Sequence, residues 1–224
     1  VYGIIGMINF AHGEIYMVSA YVPAVFLAVL HYFGLANIPL MLLAVLLATM
    51  FVTALYGWFL ERIAYRPLRG STRLAPLITA IGLSLILQNY VRLSQGARSQ
   101  GIPSILQGSF AIALGNDGRL VQITYVQALI IIVAFLSMAI LTFIMHHTSL
   151  GRACRATEQD RIMASLLGID TDRIIATVFV IGAAMAAIAG VLVTLNYGSF
   201  DFHIGFVTGI KAFTAAVLGG IGSL

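Results

Sequence analysis

The chain has 224 residues, of which 60% are hydrophobic and only 9% charged, against about 25% charged in an ordinary soluble domain. With a mean hydropathy of +1.01, a water-soluble fold would leave large apolar patches facing solvent. That excludes a soluble enzyme, a disordered chain and a disulfide-stapled secreted scaffold, and makes this an integral membrane protein.

Cys154 is the single cysteine, so there is neither an internal disulfide nor a cysteine-based metal cluster. All basic residues but Lys211 are arginines. A pI near 9.5 therefore reflects arginine-rich loops at a membrane surface, with no nucleic acid as partner. The chain opens at Val1 inside an apolar phrase and closes as abruptly at GGIGSL. It reads as an internal stretch of a longer protein, with further helices at one or both ends.

The first thirteen residues read as the tail of an earlier helix running into a break. There MINFAHGE carries Asn9, His12 and Glu14 between apolar flanks, with Gly6 just before the phrase and Gly13 within it. Ionisable groups near hydrocarbon are costly and usually face a cavity or a partner, and glycine-interrupted helices mark binding regions in transporters. The three residues are therefore candidates for a translocation path. The competing reading is that His12 and Glu14 simply mark a helix end at the cytoplasmic surface.

Five runs then lack Asp, Glu, Lys and Arg: Ile15 to Phe33, Ile38 to Leu60, Leu74 to Val91, Leu120 to Met145, and Ile174 to Tyr197. A hydrocarbon core takes about 20 helical residues to cross, so each qualifies as a spanning helix. A sixth apolar run from Ile204 to Leu224 contains Lys211, a further path candidate, since a lysine inside a span either snorkels, pairs or lines a path. The fold class is all-α: a polytopic bundle of about six to seven spans, read as one transmembrane domain over residues 1–224.

Arginine placement orients the bundle. The connections Glu61 to Arg73 and His146 to Arg173 carry eight arginines, and the connection Arg92 to Arg119 carries three. Alternation puts the first two on one side, which should be cytoplasmic. The long third connection, rich in Gly, Ser and Gln, suits turns and a small hairpin. Gly182, Ala186 and Gly190 recur every fourth residue and form a row for close helix contact, with packing inside the chain favoured over a dimer. Pro23 should kink its span.

The stretch His146 to Arg173 is the most informative. Thr157 and Asp160 fit a capping pattern, Ile162, Met163, Leu166 and Leu167 share one face, and Gly168 supplies a stop. The prediction is one helix of about ten residues, too short and too charged to cross a bilayer. Such a helix either rests on lipid headgroups or docks into a groove on a cytoplasmic partner. The lone lysine is followed by Ala212, so no phosphate-binding P-loop can be built and no nucleotide cofactor is expected. His146 and His147 lack metal-site spacing, no nucleophile elbow is present, and the chain is expected not to be an enzyme.

Four phrases, INFAHGE, ERIAYRPLR, GRACRATEQDRIMASLLGI and KAFTAAVLGGIGS, together resemble the LivH-type permeases of branched-chain amino-acid ABC importers. The resemblance implies a bacterial inner-membrane subunit that forms the translocation path with a second permease chain of LivM type. It also implies two cytoplasmic ATP-binding subunits and an extracytoplasmic substrate-binding protein. Residues 151–169 would hold the coupling helix, with Ile162, Met163, Leu166 and Leu167 as its anchoring face, Gly168 as its stop, and Arg155, Glu158 and Arg161 as its polar rim. Related permeases carry urea or short amides, which leaves that substrate class as the alternative. A secondary carrier would need carboxylates within the spans, and the five runs offer none. A passive channel would give the docking helix no role.

Overall fold

The computed structural model describes residues 9, 11–34, 37–69, 71, 74–101, 108–114 and 119–220. In chain order it forms α1 (Ala11–Tyr32), α2 (Ile38–Leu60) with a π-helical turn (Glu61–Tyr65), α3 (Leu74–Gln95), β1 (Gln100–Gly101), β2 (Ser109–Leu114) and β3 (Arg119–Thr124). There follow α4 (Tyr125–His147), α5 (Ser149–Gln159), α6 (Arg161–Leu166), α7 (Thr171–Tyr197), β4 (Ser199–Phe200) and α8 (Ile204–Leu218). Among the described residues, α1, α2, α3, α4 and α7 are long and apolar enough to cross a membrane. The sixth run gives only the 15 residues of α8, about 22 Å of helix and short of a full crossing. The reading of the first thirteen residues falls mostly outside the described residues.

Helix α1 is the centre of the bundle. Every residue from Glu14 to Tyr21 is buried, because α1 packs against α2, α3, α7 and α8 at once. Its apolar side chains serve two cores: Met17, Val18 and Tyr21 meet Leu87, Val91 and Phe200, and Ile15 and Tyr16 meet Ala183 and Ala186. The Ser19 hydroxyl donates to the Ala186 carbonyl at 2.8 Å, and the Thr194 hydroxyl donates to the Ala20 carbonyl at 3.0 Å. A Cβ on Gly190 would collide with Ser19, so two members of the expected small-residue row let α7 close on α1 within the chain.

Helix α4 lies at the edge, with only Val126 buried among its residues. Its outward Ile, Leu and Phe side chains are at home in hydrocarbon, where apolar surface carries no penalty. The run expected to enter this span at Leu120 instead starts as strand. Ser109 to Leu114 pairs antiparallel with Arg119 to Thr124, giving the expected hairpin. Thr124 then begins α4 through a reciprocal capping box with Gln127.

The two ends of the bundle sort as the arginines predict. The Glu61–Arg69 region and α6 meet at Asp172 of α7, which pairs with Arg69 and with Arg161. At the other end β1 pairs with β4, Gln100 opposite Phe200.

Candidate functional site

Glu14 is the central feature. Its carboxyl lies level with the middle of α3, where Ser84 Oγ and Gln88 Nε2 both donate to Oε1 at 2.8 Å. The residue is fully buried, and Oε2 has no hydrogen-bond partner among the described residues. A residue marking a helix end at the membrane surface would be solvated. Glu14 does stand in the first turn of α1, as the helix-end reading has it, but it is enclosed between spans and not solvated.

Gly13 explains how the carboxyl reaches that depth. A Cβ there would stand 2.5 Å from the Gly205 carbonyl and 3.2 Å from the Gly209 Cα. The backbones of α1 and α8 therefore touch directly. Gly205 has the same reason to lack a side chain, since its Cβ would lie 2.6 Å from Glu14 Oε2 and 2.6 Å from the Gly13 carbonyl.

Asn9 ties the start of α1 to a different wall. Its Oδ1 accepts from the Tyr65 hydroxyl at 2.5 Å, while its Nδ2 is buried without a partner among the described residues. Tyr65 in turn packs on Phe179, ring centroids 5.2 Å apart. His12 is partly buried, and its amide donates to the Asn9 carbonyl at 3.1 Å. Lys211 is exposed on α8, and among the described residues no ion pair joins it to Glu14. The structure thus groups Asn9, His12 and Glu14 at one helix start and leaves Lys211 apart.

At the arginine-rich end a charge cluster joins three elements. Arg69 pairs with both Glu61 and Asp172, Arg66 reaches Asp172 at 3.1 Å, and Arg161 reaches it at 2.8 Å. Beside the cluster lies a cavity of about 280 Å³ lined by Trp58, Arg62, Arg66 and Arg173 among others. Arg62 stacks over Trp58, 5.1 Å from the ring centroid.

The segment after α4 is built as two helices where the sequence suggested one. Thr157 does not cap: its hydroxyl bonds back to the Ala153 carbonyl at 2.8 Å inside α5. Asp160 is extended (φ −152°, ψ 107°) and breaks the run, and its Oδ1 accepts from the Ile162 and Met163 amides at 2.9 Å each to start α6. Gly168, at φ +84°, ends α6 as expected. The Gly168 amide donates to Ser165 and the Ile169 amide to Ala164, the double bond of a Schellman stop. Asp170 then caps α7 by accepting from the Arg173 amide at 3.0 Å.

Helix α5 turns back beneath α4. Gly151 sits so close to the Met145 carbonyl that no Cβ fits, and Gly151, Cys154 and Thr157 form its buried face. Burial pushes the Cys154 thiol pKa up, which keeps it protonated and inert. Arg155 donates to the Met145 carbonyl near the end of α4, and Glu158 is exposed. The four expected anchors, three on α6 and Leu167 at its C-cap, are all exposed: Ile162 75%, Met163 56%, Leu166 75% and Leu167 78%.

Sequence reasoning overlooked the groups that complete these sites. Ser84 and Gln88 are a polar pair one turn apart in the middle of a mostly apolar helix, a signal that was available. Asp172 gave none, because Arg66 and Arg69 come to it from more than 100 residues away in the chain; Glu61 has its partner, Arg69, only eight residues on.

The family model described as "Branched-chain amino acid transport system / permease component" matches residues 1–224. The chain is 53% identical over all 224 residues to the high-affinity branched-chain amino acid transport system permease protein BraD of Pseudomonas aeruginosa, covering 73% of that protein. It is 52% identical, again over its whole length, to the LivH permease proteins of Salmonella typhimurium and Escherichia coli, covering 72% of each. No solved structure matches it. A multi-pass protein of the inner membrane, the chain belongs to the branched-chain amino acid transport permease family.

Proposed function

We propose that residues 1–224 form a single permease domain of an ATP-driven importer for leucine, isoleucine and valine. It lines the translocation path together with a second permease chain of LivM type. Two cytoplasmic ATP-binding subunits drive it, and an extracytoplasmic binding protein delivers the substrate. It carries no catalytic centre and needs no cofactor of its own; ATP hydrolysis belongs to the partner subunits, since its only lysine cannot serve a P-loop.

The observation that supports this reading best is α6. Three large apolar side chains on a helix of six residues, and a fourth at its C-cap, Leu167, face away from their own protein, the signature of a docking surface. The same helix is linked inward through Arg161 to Asp172 on α7. Closure of the ATP-binding subunits would push on Ile162, Met163, Leu166 and Leu167, and α6 would hand that displacement to the spans. Arg155 and Glu158, exposed on α5, would form the polar rim of this surface, and Gly168 lets α6 end sharply.

The path itself is assigned to Asn9, His12 and Glu14 at the start of α1, with Lys211 on the wall shared with the second permease chain. Exposed lysine at membrane depth needs water or a partner, and that shared wall supplies one. The test is leucine uptake into proteoliposomes holding the full-length permease pair, its ATP-binding subunits and loaded binding protein. ATP-dependent accumulation of leucine, isoleucine and valine is expected. Accumulation of urea or short amides in their place would overturn the substrate assignment.

A further inference from the structure

We propose that Glu14 and the first turn of α8 together form a two-point site for a zwitterionic amino acid, Glu14 taking the ammonium group and the amides that open α8 taking the carboxylate. The inference rests on the importer reading above and goes beyond it by assigning the groups that hold the substrate.

The first support is the carboxyl itself. One oxygen of Glu14 is saturated by Ser84 and Gln88, and the other is buried and bare. Among the described residues no Lys, Arg or His forms an ion pair with it, and the exposed His203 at the start of α8 makes no hydrogen bond to it. A carboxyl enclosed at membrane depth, with no cation in contact and only His203 acting on it from beyond ion-pair distance, is expensive. It is accounted for when a cation arrives with the cargo.

The second support is what the bare oxygen faces. It lies over Gly205, in the first turn of a 15-residue helix whose N-cap, His203, contributes no side-chain hydrogen bond. The His203 and Ile204 amides already donate to Asp201. The next amides, of Gly205 and Phe206, belong to the end of the helix that carries unsatisfied donors and a partial positive charge, and such ends hold anions. A carboxylate-binding end and a cation-binding side chain therefore stand face to face, in the order an α-amino acid presents its two charges.

The third support is how the two halves are joined. Helix α1 is fastened to α7 by the Ser19 and Thr194 hydroxyls and to α3 through Glu14. Against α8 it has the glycine seam of Gly13, Gly205 and Gly209. Backbone lies on backbone at those glycines, and the side-chain links that must yield when the seam parts to admit a ligand are the Tyr16–Thr208 hydrogen bond and the packing of Ile204 on α1.

The experiment uses the assembled importer in proteoliposomes, with leucine uptake expressed per complex as judged by co-purified ATP-binding subunits. Glu14→Gln keeps the oxygen that accepts from Ser84 and Gln88 and removes only the charge, so a purely structural role would leave it active. The expected result is a loss of roughly tenfold or more, with Glu14→Asp, which keeps the charge one methylene shorter, clearly above Gln. Uptake by Glu14→Gln within about twofold of wild type, or equal loss in Gln and Asp, would overturn the assignment. A wild-type complex that accumulates no leucine would overturn the importer reading and this inference with it.

Discussion

Arg69 and Asp172, 103 residues apart in sequence, form an ion pair in which the same guanidinium also holds Glu61. One side chain thus bonds the end of α2 to the start of α7. Arg161 of α6 donates to the same Asp172 oxygen, so the docking helix and two spans meet at one carboxylate. Arg69 is 12% exposed and Glu61 2%, which places their pair in the regime where removing one partner leaves an uncompensated buried charge. Arg69→Leu is expected to cost about 3–5 kcal/mol. Arg69→Lys should recover only part of this, since an ammonium cannot span both carboxylates as a planar fork does. The midpoint of thermal unfolding of the detergent-purified permease pair would report it, and an unshifted midpoint in the Leu variant would show that the cluster is solvated.

Leu166 is 75% exposed, so an acidic replacement should leave the fold of the chain intact. Leu166→Asp is expected to abolish co-purification of the ATP-binding subunits, or to leave them bound without stimulation by loaded binding protein. Burying a carboxylate in an apolar groove costs several kcal/mol unless it is paired, enough for a loss of 100-fold or more in affinity at about 1.4 kcal/mol per tenfold. Normal stimulation of ATP hydrolysis in this variant would remove α6 from the coupling route.

How much of this was legible in the sequence depends on range. Spans were readable because uncharged runs of 18 residues or more answer to one requirement, the thickness of the hydrocarbon core. Which connections share an end of the bundle was readable from the alternation of spans, and the ion pairs at one end and the β1–β4 pairing at the other agree with it. Local chemistry was harder. Thr157 and Asp160 both suit a cap, and only the extended backbone of Asp160 decides which one starts α6. The strand at Leu120 to Thr124 hid inside an uncharged run because its residues suit a hairpin as well as a lipid-facing helix. Glu14 was singled out by its charge, yet its environment was not foreseeable: Ser84, Gln88 and Gly205 come from helices that only tertiary packing brings to it.

Gly190 tests how tightly α1 is seated. A Cβ there would fall 2.7 Å from the Ser19 carbonyl carbon and closer still to its hydroxyl. Backbone cannot yield as a side-chain tip can, and the Ser19 bond to Ala186 would be displaced as well. Gly190→Ala is expected to destabilise the bundle by about 1–3 kcal/mol, the range for overpacking a well-filled core. Gly82→Ala is the control, because nothing lies within 4 Å of its Cβ position and the change should be neutral or slightly stabilising in a helix. Equal thermal midpoints for the two variants would mean that α7 can shift away from α1 at little cost.

Asp160 offers a way to weaken the docking helix without touching its apolar face. Two amides, those of Ile162 and Met163, share its Oδ1, and loss of such a cap costs about 0.5–2 kcal/mol. A helix of six residues has almost no stability of its own, so the cap carries a large part of what keeps the four anchors in register. Asp160→Ala is therefore expected to weaken binding of the ATP-binding subunits by a factor of about 2–30, the same energy converted at 1.4 kcal/mol per tenfold. Asp160→Asn keeps an acceptor oxygen in the same place and should restore most of the affinity. Titration of the detergent-solubilised permease pair with the purified subunits measures both. If Ala binds as well as wild type, then α6 is held by the buried Ala164 and by the Arg161 pair with Asp172 instead of by its cap, and the force it receives passes through that ion pair alone.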